Sequence, residues 1–297
     1  MKQTRRLIET IIEHAVRLAG MLAVVFVLLI FAFLLRDSLP LLQTTSPSAL
    51  LTGSRWLPTS EPPQFGLLPL LLGSLYVTVG ALVIGVPLGL AAAIYISEIA
   101  PRRTQEILKA GIELLAAVPS VVFGFIGLLL IGPWLAKTFD LPIGQFAALG
   151  SLLLAFMAIP TIVSVSEDAL HAVPRSLRDN SLALGATHWQ TISRVVVPAA
   201  RSGLVAAFLL GLGRAIGETM TVLMVTGNAA VIPHGLSGFM QPIRTMTATI
   251  AAEMGETAYH TPHYYALFMV GLLLFIITLA VNIIADVVIH RAGGMKS

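Results

Sequence analysis

The chain has 297 residues, with 18 Lys+Arg against 15 Asp+Glu, so only 11% of it is charged, while 56% is hydrophobic and mean hydropathy is +0.88. An ordinary soluble domain carries about a quarter charged residues, and a soluble core cannot hide this much apolar surface. Soluble, fibrous and disordered classes are excluded, and an integral membrane protein remains. With no cysteine there is no disulfide scaffold, thiolate nucleophile or cysteine metal site.

Bilayer hydrocarbon is ~30 Å thick and asks for about 20 apolar residues per spanning helix. Residues 15–35, 67–96, 112–135, 146–165, 203–226 and 264–289 supply six such spans. None alternates apolar and polar at every second residue, so barrel strands are excluded and all six are helices. The first follows Lys2, Arg5 and Arg6, but its apolar run reaches Leu35 without a small-residue cleavage site, so it is expected to stay uncleaved. Residues 36–66 hold Pro47, Pro58, Pro62 and Pro63 among Ser and Thr, the pattern of an exterior connection. The second span carries Gly80, Gly85, Pro87 and Gly89, which predicts a kink or a tilt. The chain therefore divides into residues 1–66 (first helix and connection), residues 67–290 (a core of five spans) and a short tail, residues 291–297.

Lys and Arg sort the polar segments. Thirteen lie on the side of the amino terminus, against Arg36, Arg55, Lys137 and Arg244 on the other, with Arg214 inside a span. The positive-inside rule then puts both termini in the cytoplasm. The same asymmetry accounts for a pI near 9.4, because basic clusters beside apolar spans face anionic lipid; no nucleic-acid partner is expected.

Enzymatic readings find no support. A P-loop needs a lysine after glycine, and none of Lys2, Lys109, Lys137 and Lys296 follows one. The glycines at 211, 213 and 217 have the wrong spacing for a dinucleotide fingerprint and suit close helix packing. His260 and His263, near Glu253 and Glu256, are expected to be solvated loop residues rather than metal ligands, since Pro262 separates the histidines. No H-E-x-x-H or G-x-S-x-G string occurs. The chain is expected to be no enzyme and to need no cofactor.

Two features stand out. The interior segment 166–203 is long for a connector. Residues 179–183 suit a helix, Gly185 a cap or tight turn, and residues 190–197 a second helix before Pro198, together forming a knob beyond the membrane. The second feature is Arg214 with Glu218 in the fifth span. Charges there cost at least ~2.5–3.5 kcal/mol each, so they face a partner or a watery path. At i, i+4 spacing in a helix the two share a face. Arg214 then lines a path for an anion, with Glu218 beside it and Thr219 as a weaker contributor; the rival account is an ion pair that braces the bundle.

The segment 166–203 resembles the EAA loop of ABC-importer permeases, E-A-A-x3-G-x9-I-x-L-P. With Gly185 on the motif glycine, nine residues separate it from Val195, and Val197-Pro198 close the motif. Asp179-Asn180-Ser181 replaces the name-giving triplet. The strings F-G-L-L-P-L-L-L-G-S at 65–74, I-Y-I-S-E-I-A-P at 94–101, G-R-A-I-G-E-T-M at 213–220 and R-T-M-T-A-T-I at 244–250 resemble the PstC-type permease family of phosphate-specific ABC importers. The resemblance implies an all-α, six-helix type I permease fold with a cytoplasmic coupling loop, in the bacterial inner membrane. It implies phosphate as substrate and Asp179, Ala183, Gly185, Ala186 and Pro198 as residues that couple to the ATPase. It also implies a second permease subunit of the PstA type, cytoplasmic ATP-binding subunits and an extracytoplasmic phosphate-binding protein. Two alternatives remain: an ion-coupled secondary carrier using carboxylates such as Glu218 and Glu113, and an ABC permease for sulfate or molybdate.

Overall fold

The computed structural model describes residues 2–293, and side chains between 12 and 287. The basic side chains of Lys2, Arg5, Arg6, Arg291 and Lys296 lie outside these. Helix α1 (Lys2–Ser38) leads into a folded connection: a 3-10 turn (Leu39–Gln43), α2 (Pro47–Thr52) and a hairpin of β1 (Trp56–Leu57) and β2 (Gln64–Phe65). The hairpin is antiparallel, with Trp56 opposite Phe65. The connection is more ordered than its prolines suggest, because Leu41, Leu50, Trp56 and Phe65 are buried with Ala266, Leu267 and Val270 of the last helix.

Helix α3 (Leu68–Ile94) ends in a wide π turn, Tyr95–Ile99. It runs unbroken through Pro87. Its glycines serve packing: a Cβ on Gly89 would lie 2.8 Å from Ile162 Cγ2, and one on Gly85 would lie 3.4 Å from the Ala155 backbone. Lipid tails are as apolar as the helices, so such close approach, and not hydrophobic exclusion, holds spans together. The partner is α7 (Ala147–His171), the central span, with Leu149, Leu153, Leu154, Ala158, Ile162 and Leu170 all nearly inaccessible.

The third expected span is shorter than the apolar run. Val118 precedes Pro119 and is extended (φ −67°, ψ 124°), as a residue before proline prefers, so helix α4 (Arg102–Ala117) stops there. Helices α5 (Ser120–Ile126) and α6 (Gly132–Thr138), joined by a π turn, make the candidate span Ser120–Thr138. Residues 112–117, with Glu113, belong instead to α4. That helix is amphipathic, turns Leu108 and Ile112 to the bundle and pairs Lys109 with Glu167.

Beyond α7 come α8 (Arg175–Ala183), α9 (His188–Thr191), α10 (Val197–Ala199), α11 (Arg201–Gly217), α12 (Met220–Val225), α13 (Met246–Glu253) and α14 (Pro262–Gly293). Among the described residues, five helices are long and apolar enough to cross a bilayer, and six if the pair His188–Ala199 and Arg201–Gly217, bent by 70°, is one span. Helix α1 meets α14 through Phe31–Phe275 and Phe33–Phe268 ring contacts at 5.5 and 5.3 Å. Val24, Phe26 and Leu28 of α1 stay about 60% exposed, a surface suited to lipid and not to water.

Candidate translocation break and helical loop

Pro174 opens α8 directly, so this helix begins four residues earlier than the sequence suggests. Gly185 follows with φ +84°, a left-handed conformation that L side chains resist. Thr187 then starts α9 with a capping box: its hydroxyl accepts from Gln190 N–H at 3.3 Å, and Gln190 Oε1 accepts from Thr187 N–H at 2.9 Å. The second helix does not stop before Pro198. A π turn at Ile192–Val196 bonds Val197 N–H to Ile192 O, so Pro198 falls at the start of α10, where no backbone donor is required.

The loop is tied down by a residue that sequence reasoning passed over. Arg178 donates to Glu98 Oε1 at 2.7 Å and Oε2 at 3.2 Å, and also to the carbonyls of Val173 at 2.6 Å and Leu170 at 2.8 Å. Glu98 sits in the π turn that ends α3, so one guanidinium joins α8 to the ends of α3 and α7. The signal was a carboxylate closing an apolar span on the arginine-rich side. Ser181 and Thr191 hydroxyls, 3.0 Å apart, join α8 to α9. Asp179, Ala183, Gly185 and Pro198 are exposed and Ala186 is half-buried, and Asp179 makes no side-chain bond among the described residues. Leu184 at 89% and Trp189 at 64% exposure form an apolar tip.

The fifth span is broken at the residues singled out for the substrate. Helix α11 ends at Gly217, Glu218 is extended (φ −70°, ψ 133°), and α12 starts at Met220. Arg214 and Glu218 therefore do not share a continuous helix face, contrary to the i, i+4 expectation, and they form no ion pair. The Glu218 carboxylate instead accepts from Thr221 N–H at 3.2 Å, capping α12, and its carbonyl accepts from the Thr247 hydroxyl at 2.8 Å. Thr219 donates to Gly217 O at 3.3 Å, and Thr221 donates to Ser120 O at 2.9 Å.

Arg214 makes no hydrogen bond or ion pair among the described residues. It stands on an exposed stripe of α11 with Leu210, Gly213 and Gly217, while Ala207, Gly211 and Ala215 are buried. A Cβ on Gly213 or Gly217 would meet nothing within 4 Å, so the space beside Arg214 is open. The brace account has no partner for Arg214 among the described residues.

At the opposite end of the bundle, the Glu253 carboxylate lies 2.5 Å from Arg244 Nη1 and 2.8 Å from His263 Nε2, and it accepts from Trp56 Nε1. Glu253 and His263 are thus partnered and largely shielded, not solvated. Glu256 and His260 remain exposed, and the described residues contain no group of three His, Cys, Asp or Glu set to hold a metal.

Among the described residues, a bundle of five or six candidate spans carries a helical loop at one end and a broken, arginine-bearing span. The family model described as "Binding-protein-dependent transport system inner membrane component" matches residues 85–293, and the chain belongs to that family. It is 42% identical over 238 residues to the probable ABC transporter permease protein YqgH of Bacillus subtilis, covering 80% of this chain and 76% of that one. It is 34% identical over 260 residues to the phosphate transport system permease protein PstC of Mesorhizobium japonicum (81% and 78% covered). With PstC of Haemophilus influenzae identity is 32% over 308 residues, covering 97% and 95%. Among solved structures, the inward-facing MetNI methionine ABC transporter matches with TM-score 0.58 at 19% identity, covering 75% of this chain and 96% of that one. At that identity the likeness speaks for the fold.

Proposed function

We propose that this chain is the membrane-spanning permease subunit of an ATP-driven importer that carries inorganic phosphate across the bacterial inner membrane. ATP-binding subunits and a periplasmic binding protein work with it, and a second permease of the PstA type completes the channel. The end of the bundle that holds α8–α10 faces the cytoplasm, and both termini lie there. The knob, with its apolar Leu184–Trp189 tip and the Asp179–Pro198 motif, docks on an ATP-binding subunit. Closure of that subunit then moves a rigid body joined through Arg178 to α3 and α7.

The observation that carries the reading is Arg214, the only charged side chain in α11 beyond its first residue, outward-facing and unpaired among the described residues. Its burial in bare lipid would cost several kcal/mol, so its stripe borders a partner subunit and a watery path. A guanidinium offers five donors in a planar fork that matches phosphate oxygens and stays charged at every cellular pH. Glu218 and Thr219 shape the break that ends α11 just past it, as broken helices do at transport sites. The two carboxylates named for a carrier are placed otherwise: Glu113 lies on α4, outside the candidate spans, and Glu218 accepts from Thr221 N–H at the start of α12. Relatives named for phosphate favour that anion over sulfate or molybdate.

The test is uptake of labelled phosphate into vesicles that contain the assembled complex and the binding protein. Uptake that requires ATP and the ATP-binding subunits, and that excess sulfate or molybdate leaves unchanged, supports the reading. Uptake by the chain alone, driven by an ion gradient, contradicts it.

A further inference from the structure

Helix α13 is fixed at both ends by unlike means. At its start, Thr245 caps it through Ala248 N–H at 3.2 Å, Ser74 accepts from Met246 N–H at 2.9 Å, and Thr247 donates to the Glu218 carbonyl in the break. Its last residue is Glu253. There Oε1 takes Arg244 Nη1, Oε2 faces His263 Nε2, and Trp56 Nε1 reaches both oxygens at 3.2 and 3.1 Å. Those donors come from three places: β1 of the hairpin, the strand-like approach to α13, and the first turn of α14. Side-chain exposures of 15% for Glu253 and 19% for Arg244 and His263 keep water from competing.

Apolar packing alone would seat the hairpin, since Leu41, Leu50, Trp56 and Phe65 already share a core with α14. Burying a carboxylate beside a guanidinium and other donors adds little stability over apolar groups, but it adds direction, because each bond has one good geometry. An eight-residue helix is about 12 Å long and stiff, so an orientation set at Glu253 is delivered at Thr247. We propose that Glu253 is a positioning residue for transport: by locking the end of α13 to Trp56, Arg244 and His263, it holds Thr247 against the Glu218 carbonyl and so sets the break beside Arg214. The hairpin is thereby joined to the break through one rigid helix. This rests on the reading that the break borders the substrate path.

A double-mutant cycle in the assembled complex tests it, with phosphate uptake and ATPase stimulation both measured per amount of complex. Glu253→Gln removes the charge and Thr247→Val removes the hydroxyl at nearly constant volume. Each single change is expected to slow uptake about tenfold, and the double change also about tenfold in total, not about a hundredfold, because both act through one contact. Additive losses, or unchanged uptake in Glu253→Gln, overturn the proposal. Should Glu253→Gln fail to assemble, Trp56→Phe, which deletes only the indole donor, replaces it in the same cycle, where non-additive losses again support the proposal and additive or absent losses overturn it. The cycle is also read in ATPase stimulation, which the pathway reading expects Arg214→Gln to leave unchanged. Non-additivity there, with normal uptake in Arg214→Gln, would remove the pathway reading and leave the positioning role standing.

Discussion

Arg178 and Glu98 lie 80 residues apart in the chain and meet in a two-point ion pair of 2.7 and 3.2 Å between the first turn of α8 and the π turn that ends α3. The same guanidinium holds two carbonyls at the end of α7, so four of its five donors are used. A loop that transmits force must not swing at its root, and this contact removes that freedom. With side chains 20% and 10% exposed the pair is shielded, and losing it costs about 2 kcal/mol, between the surface and fully buried cases.

Arg178→Ala is therefore expected to leave the complex in the membrane but to break the link between hydrolysis and transport. Phosphate uptake should fall at least ~10-fold while basal ATPase activity persists, since ~1.4 kcal/mol is a factor of ten. Parallel assays of uptake and hydrolysis check it; a parallel loss of both would point to simple misassembly.

Gly185 gives a prediction about conformation and not about space. Its φ is +84°, and a Cβ there would meet nothing within 4 Å. Gly185→Val should uncouple transport, whereas Gly185→Asn should keep most of it, because Asn tolerates the left-handed region and a β-branched residue does not. The strain involved is about 1–2 kcal/mol. Equal activity of the two variants would sink the idea.

Topology is checked with cysteines placed singly in a chain that has none. Position 187, the exposed cap of α9, should label with an impermeant thiol reagent only from the cytoplasmic side. A cysteine at position 60 in the hairpin turn should label only from outside. Reversal of that pattern would invert the orientation drawn from thirteen basic residues against four.

Much of the fold was legible because apolar runs of bilayer length have few other uses. Spans one, two, four and six followed from length alone. The third went astray because residues 112–117 are as apolar as a span; Pro119 held the correction, since the residue before it avoids the helix. The break at Gly217–Glu218 carries no proline, and a Glu that caps the next helix looks in sequence like a Glu paired one turn back. Gly185 and the motif spacing located the knob, but Arg178 was hidden because its partner lies on another span. His263 and Glu253 stand near each other in the sequence and are expected there to be solvated, while Trp56 and Arg244 give no local signal: the meeting of all four depends on how α13, α14 and the hairpin fold together.

The central claim is that Arg214 serves the anion's path and does not brace the bundle. Arg214→Gln, in the complete complex with its binding protein, tests it most directly, with assembled complex, ATP hydrolysis and phosphate uptake measured side by side. A pathway role predicts wild-type assembly and hydrolysis with uptake reduced at least ~10-fold, the loss of roughly one charge-assisted contact to phosphate. Unchanged uptake at equal amounts of complex would contradict it.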